Sequence, residues 1–337
     1  FWLKSQKRFP RSPRLRLPSL HPDSSSMTDE AMAGEHAATG PSASASLARA
    51  LSPRVPGGSE ETEQTSQGLT PTAFADTYID YSPSTLSFWK ESLSGGGRSG
   101  WYDKAKAWWD DPGKCPATVD GVLGGYGELD DCDVRESAEF LVQLRLLCAK
   151  AGRPAGRARA LDGGAGIGRV TKHLLCRFYD AVDLVEGNQR MLDAAPAFLG
   201  EHAKQLGELY CAPLQEFEPG AERYDLIWIQ WVVIYLTDAD FVAFLGRCAR
   251  ALKPNGVIVV KENALEDGDE DDFIEDADDS SLTRSTSYLE HIFRHARLEV
   301  VMRKWQVEFP DSMYPVMMYA LRPREDSGHE PRHPESQ

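Results

Sequence analysis

From Trp101 onward the apolar positions fall into periods that predict helices and strands. Trp101, Tyr102, Ala105, Trp108 and Trp109 recur at helical spacing, until Pro112 and Pro116 break the pattern ahead of the glycine-rich run Gly121–Gly127. Arg135–Ala151 reads as an amphipathic helix with Phe140, Leu141, Leu144, Leu147 and Cys148 as its buried stripe. A strand-turn-helix unit follows: strand Ala158–Asp162, turn Gly163–Gly168 and helix Ile167–Tyr179, then a second strand at Ala181–Glu186. Further apolar runs at Leu209–Ala212, Tyr224–Ile229 and Val257–Lys261 are separated by helical or loop segments, the signature of a parallel sheet with crossover helices. Leu298–Val307 and Tyr314–Leu321 are joined by only a short Pro-containing link, so they are expected to pair antiparallel at the sheet edge.

Phe1–Gly97 shows neither period and is rich in Ser, Pro, Gly, Thr and Ala, so it is read as a disordered extension. Its first stretch, Phe1–Leu20, carries six basic residues and no acid, as an organelle transit peptide does. Met27, however, opens an acidic stretch that looks like a start, and the residues before it are expected to have no targeting value. A short aromatic patch, Tyr78–Trp89, is either a docking segment or part of the extension. The predicted organisation is an extension at 1–97, a folded domain at 98–325 with a helical cap at about 98–155, and a disordered tail at 326–337.

Charge narrows the partners. With 37 Lys and Arg against 52 Asp and Glu, the 337-residue chain has a formal net charge of −15, which argues against direct nucleic-acid binding and favours cationic substrates. The 41% hydrophobic content suffices for a buried core. The six cysteines include no CxxC pair and no His-flanked cluster, so no metal site is expected and a reduced compartment, cytosol or nucleus, fits best. The longest apolar run, Leu226–Leu236, is shorter than a spanning helix of roughly 18 residues, so no membrane association is expected.

The chemistry is concentrated in Leu161-Asp162-Gly163-Gly164-Ala165-Gly166-Ile167-Gly168-Arg169. This run lies beyond the carboxyl end of the first strand, where open α/β sheets bind ligands. Glycines there allow a cofactor to approach the backbone and permit positive φ. A dinucleotide site wants GxGxxG for a pyrophosphate. Here Gly164, Gly166 and Gly168 make GxGxG, and Arg169 stands where the third dinucleotide glycine would be, the pattern of S-adenosylmethionine-dependent methyltransferases. Glu186 ends the second strand, where a carboxylate can accept from both ribose hydroxyls, a role equally found in NAD enzymes. The turn Leu252-Lys253-Pro254-Asn255-Gly256 is a further methyltransferase habit.

Five segments together resemble one family, the alpha-N-terminal protein methyltransferases: Tyr102–Trp109, Thr118–Gly127, Leu161–Lys172, Ile227–Trp231 and Asp278-Asp279-Ser280-Ser281. The resemblance covers roughly Trp101–Arg322. It implies a class I, Rossmann-like α/β fold with a seven-stranded, mostly parallel sheet, an antiparallel last pair and an N-terminal helical addition. It also implies S-adenosyl-L-methionine as cofactor and, as substrates, proteins whose N-termini read X-Pro-Lys or X-Pro-Arg.

Carried over by position, the resemblance puts Gly164, Gly166, Arg169, Glu186, Leu214, Gln215 and Gln230 around the cofactor, with Arg169 at its carboxylate and Leu214 and Gln215 bordering adenine. Trp109, Leu123, Trp231, Met313 and Tyr314 line the peptide channel. Asn263 and Asp279 hold the amine, and Asp276 and Ser281 receive the side chain at position three. Tyr235 stands where better-known members carry a His thought to assist the amine, so Asp279 inherits more of that task. Trp109 and Trp231 also read as core aromatics, and the acidic run Glu266–Asp279 as a solvated face in its first part. Two other functions remain open at this point: a small-molecule methyltransferase, against which the Asp-Asp-Ser-Ser run argues, and a non-catalytic binder of basic N-termini. A NAD dehydrogenase is disfavoured by Arg169.

Overall fold

The computed structural model describes residues 79–94, 96–268 and 271–324. Most of the expected extension and the expected tail lie outside these residues. The helices are α1 (Pro83–Ser92), α2 (Gly97–Asp110), α3 (Val119–Val122), α4 (Asp130–Lys150), α5 (Arg169–His173), α6 (Gln189–Leu199), α7 (Asp238–Ala251) and α8 (Thr286–His295). The strands are β1 (Arg159–Gly163), β2 (Ala181–Glu186), β3 (Leu206–Cys211), β4 (Tyr224–Gln230), β5 (Leu252–Leu265), β6 (Phe273–Asp276), β7 (Ser281–Ser285), β8 (Leu298–Trp305) and β9 (Val316–Pro323).

Seven strands form the expected sheet in the order β3-β2-β1-β4-β5-β9-β8. The first five run parallel, while β9 is antiparallel to both β5 and β8. Every residue of β4 is buried, as a central strand covered on both faces requires. One face packs under α7 and α8, with Phe241, Phe244, Leu289 and Phe293 in its core. The other packs under α4, α5 and α6, with Phe140, Leu144, Val170 and Leu192.

Four local differences from the sequence reading have physical reasons. A hairpin of β6 and β7 projects from the end of β5, pairing Ala264 with Arg284 and Leu265 with Ser285. Its apolar Phe273, Ile274 and Leu282 were embedded in a run dominated by acids. The helix expected over Ile167–Tyr179 is only the five residues of α5, followed by a 3-10 turn at Leu175–Arg177. In α4, Leu147 is 42% exposed while Phe140, Leu141, Leu144 and Cys148 are buried, because the apolar stripe advances by four residues at that point. Finally, residues 83–92, assigned by composition to the extension, form α1. Ser82 caps it, Pro83 opens it, and Trp89 and Leu93, one turn apart, are buried against the domain.

Candidate active site

Loop geometry at the carboxyl end of β1 creates an enclosure. Gly164, Gly166 and Gly168 all have positive φ (74°, 55° and 78°), which a side chain would strain. A Cβ on Gly164 would lie 2.8 Å from Val232. The loop is held from below by Glu186 at the end of β2, whose Oε2 accepts from Gly166 N at 2.9 Å and whose Oε1 accepts from Asn188 N at 2.8 Å. Burial raises the Glu186 carboxyl, opposed by the backbone donors of Asn188, Gly166 and Gly187. A carboxylate offers about four lone-pair sites, so with three backbone donors on it one remains for a ligand's hydroxyl.

A cavity of about 470 Å³ opens beside this loop, beyond the carboxyl ends of β1, β2 and β4. All seven residues expected at the cofactor line it: Gly164, Gly166, Arg169, Glu186, Leu214, Gln215 and Gln230. Trp109, Trp231 and Tyr235 of the expected substrate side line it as well. An apolar slot from Val122, Met191, Pro213 and Leu214, with the Glu186 carboxylate and the Arg169 cation also in the lining, fits a nucleoside carrying an amino-acid tail.

Two expected cofactor residues are more committed to the protein than sequence suggested. Arg169 donates from Nη1 to Asp130 Oδ1 (2.7 Å) and Asp133 Oδ2 (2.8 Å), which leaves Nε and Nη2 for a ligand carboxylate. Gln230 accepts the Trp228 indole N–H at 2.9 Å and donates to both oxygens of Asp133. Its amide therefore reaches the cavity as a wall, and part of its work is to orient Asp133. The same Asp133 pairs with Lys261, whose ammonium also reaches Ser137 Oγ and Gln306 Oε1 at 2.8 Å. Burial disfavours the Asp133 charge, yet Lys261 and Arg169 outweigh it and hold the carboxyl below its usual range. Sequence reading missed this network. The available signal was a carboxylate pair, Asp133 and Glu136, on the buried face of an amphipathic helix, and a Lys directly after the apolar run Val257–Val260 of a central strand.

The substrate side gathers around Tyr235. It sits in a 3-10 turn, Val233–Tyr235, that follows Trp231, a bulky residue at φ 53°. Left-handed backbone at such a residue is held only where surroundings over-determine it. Here Trp231 N donates to Lys261 O at 3.0 Å, the ring stacks near Phe309, and Arg169 lies 5.6 Å from the ring centroid. The Trp101 indole fixes the turn by donating to Tyr235 O at 2.7 Å. Leu123, Trp231, Tyr235 and Met313 share one apolar cluster, with Trp109 against it. Trp109 meets the Tyr235 ring edge-on at 6.2 Å.

The Tyr235 hydroxyl donates to Asp279 Oδ2 at 3.1 Å. Burial pushes the phenol well above its ordinary value, and the neighbouring Asp279 charge adds to this, so Tyr235 keeps its proton and acts as donor, not as base. Asp279 is buried at the tip of the β6–β7 hairpin, and its Oδ1 accepts from Ser281 N at 3.1 Å. Burial raises its carboxyl, partly offset by Ser281, and Asp276 raises it further. Asp276 pairs directly with Ser281 across the hairpin. Tyr314 is buried, and burial, then the charge of Asp276, raises its phenol. Asn263 is fully buried near the end of β5, opposite Val316, and does not line the cavity. Leu123, Asp276, Asp279, Ser281, Met313 and Tyr314 likewise lie outside the cavity lining. Leu123 and Met313 pack with Trp231 and Tyr235, and Asp279 reaches the cavity through its bond to Tyr235.

Among the described residues no helix is long and apolar enough to cross a membrane, and no cluster of three or more His, Cys, Asp or Glu could hold a metal ion.

A doubly wound sheet with an antiparallel finish and a GxGxG loop opening on a cavity define an S-adenosylmethionine-dependent methyltransferase. Residues 97–322 match the family model of AdoMet-dependent proline di-methyltransferases, and the chain belongs to that family. It is 42% identical over 221 residues to N-terminal Xaa-Pro-Lys N-methyltransferase 1-B of Xenopus laevis, covering 66% of this chain and 95% of that protein. It is 40% identical over 247 residues to alpha N-terminal protein methyltransferase 1 of Arabidopsis thaliana, covering 71% and 86%. Among solved structures, an S-adenosylmethionine-dependent methyltransferase of Leishmania major superposes with a TM-score of 0.62 at 40% identity, covering 70% of this chain and 89% of that one. The helical addition α2–α4 and the hairpin both lie within the matched residues, whereas α1 precedes them.

Proposed function

We propose that this chain transfers methyl groups from S-adenosylmethionine to the free α-amine of proteins beginning X-Pro-Lys or X-Pro-Arg. The observation that carries the reading is the junction of cavity and acidic hairpin: Tyr235 lines the cavity and hydrogen-bonds Asp279, which shares the hairpin tip with Asp276 and Ser281. A small-molecule methyltransferase has no use for three acid and hydroxyl groups at the far side of its donor pocket.

When bound, S-adenosylmethionine supplies an electrophilic methyl; the N–C bond forms as the C–S bond breaks, leaving a neutral thioether. The nucleophile must arrive uncharged and in line, so positioning supplies much of the acceleration. An α-amine ordinarily titrates at about 7.7–8.0, and a carboxylate raised by burial is better matched to take its proton than an ordinary one. Asp279 takes that proton, directly or through water, while Asn263 and the Tyr235 donor hold the geometry. Proline at the second position has no N–H and a fixed φ, which suits the apolar wall of Leu123 and Trp231. Asp276 and Ser281 receive the Lys or Arg at the third position, so the span from Asp279 to Asp276 measures the peptide. Repeated transfer requires only that the amine still carry a proton to give up. The acidic surface and the free thiols favour action in the cytosol and nucleus, with no role for nucleic acid or membrane.

The test uses labelled S-adenosylmethionine with a Ser-Pro-Lys-Arg peptide. Label should enter this peptide and not its α-acetylated copy; equal labelling of both sinks the proposal.

A further inference from the structure

Helix α1 lies before the residues that match the family and makes no part of the cavity lining. Its contacts nonetheless converge on the hairpin that carries Asp276, Asp279 and Ser281. Phe88 packs on Phe273 of β6, ring centroids 4.9 Å apart. Trp89, fully buried, shares an apolar cluster with Leu282 of β7 and with Trp101. Ser84 donates to Asp272 Oδ2 at 3.4 Å, at the foot of the hairpin.

The polar end of Trp89 reaches deeper. Its indole N–H donates to Asp238 Oδ2 at 2.8 Å. Asp238 opens α7, is fully buried, and also accepts from Tyr288 Oη and from Arg284 Nε and Nη2 at 3.1 and 2.9 Å. Arg284 belongs to β7, and its Nη2 donates on to Leu236 O at 2.7 Å, one residue beyond Tyr235. A single buried carboxylate thus ties α1, the hairpin strand and the Tyr235 turn together. Buried charges hold their geometry only when their hydrogen-bond partners are complete, so removing the indole donor loosens the joint between hairpin and turn while the cofactor cradle, built from β1, β2 and β4, is untouched.

Accepting the proposed function above, we infer that α1 is a positioning element for peptide selectivity: Trp89, through Asp238 and Arg284, fixes the acidic hairpin against the Tyr235 turn so that Asp276 and Ser281 meet the cation at the third position. Trp89 touches no substrate; it acts through Arg284.

The experiment compares full-chain wild type, Trp89→Phe, which keeps a ring but deletes the N–H, and Phe88→Ala, which acts on Phe273 from a partly exposed position. The readouts are kcat/KM for Ser-Pro-Lys-Arg and Ser-Pro-Gln-Arg peptides, and the Kd of S-adenosylhomocysteine by calorimetry. The expected result for each variant is a fall of about tenfold with the Lys peptide, a much smaller fall with the Gln peptide, and an unchanged Kd. Equal losses on both peptides, a weakened Kd in step, or no change in either variant overturns the inference. Should Trp89→Phe fail to fold, Phe88→Ala carries the same reading. If wild type labels neither peptide, the proposed function fails on its own account. The brace is then decided by amide hydrogen exchange across Ser281–Ser285, which should speed up in the variants and refutes the inference if it does not.

Discussion

Tyr235 donates its hydroxyl to Asp279 across 3.1 Å, joining a residue of the cofactor cavity to the tip of a hairpin from a different part of the chain. The bond has a direction, because burial keeps the phenol protonated and an ionised carboxylate can only accept. It lowers the Asp279 carboxyl against the upward push of burial and of Asp276. A donor at this place therefore tunes the base rather than replacing it.

Removing that donor gives the first prediction. Tyr235→Phe should lower kcat/KM for an X-Pro-Lys peptide about tenfold, the size expected for one hydrogen bond to a charged group. The acid limb of the pH profile should move to higher pH, since the Asp279 carboxyl rises when its donor is lost, and activity falls as pH drops through that value. A pH–rate profile of wild type and variant reads both effects; an acid limb that stays in place removes Tyr235 from the proton path.

Asp279→Asn separates chemistry from binding. The amide keeps its one acceptor oxygen for Ser281 N and turns an NH2 donor toward the Tyr235 hydroxyl, which can accept from it, but it cannot take a proton, so turnover should fall by roughly two orders of magnitude. The affinity for S-adenosylhomocysteine should hold, because Asp279 lies outside the cavity lining. Single-turnover kinetics beside calorimetry decide it, and full activity in the variant eliminates Asp279 as base.

Much of this was written locally in the chain. The glycine loop, Glu186 and the alternation of strands and helices needed only short-range spacing, and the structure puts the loop and Glu186 around one cavity. The resemblance supplied the hairpin acids, which no period could have located. What composition hid has a common cause: partners far apart in sequence. Lys261 and Asp133 are 128 residues apart, so neither the strand nor the helix announces the pair. Trp89 and Asp238 are 149 apart, and α1 shows only Leu86, Phe88 and Trp89 as apolar residues within a Ser-rich stretch, too few to set a period. The hairpin was masked differently, since strands of four and five residues beside an acidic run give too few alternations to register.

The cofactor cradle can be tested at one atom. Gly164→Ala places a methyl group 2.8 Å from Val232 in a backbone of φ 74°, and should weaken S-adenosylhomocysteine more than tenfold while costing about 1–2 kcal/mol in backbone strain alone. Gly125→Ala is the control: it has φ 88° and nothing within 4 Å of the added carbon, so it should show the stability cost without loss of affinity. Thermal unfolding with and without S-adenosylhomocysteine separates the two, and equal affinity losses would disprove the assignment of the cradle.

Glu262 offers a test of burial without catalysis. Its carboxyl is fully enclosed, accepts from Asn263 N at 2.9 Å, and is pushed up to about 8, chiefly by burial and against the backbone donors of Asn263, Ile234 and Val233. In the unfolded chain the same group titrates near 4.3. The native state thus holds a proton that the unfolded state has lost between about pH 4.3 and 8, so this group's favourable contribution is complete below that window and disappears as pH rises through it. One such proton changes stability by roughly 1.4 kcal/mol per pH unit. Glu262→Gln cannot ionise, and its stability relative to wild type should therefore climb by about 3 kcal/mol between pH 5 and pH 7.5, by that same slope. Urea unfolding at the two pH values measures the difference. A stability gap that does not change with pH means that the native carboxyl titrates as it does in the unfolded chain, and that the turn carrying Tyr235 rests on a charged group rather than a neutral one.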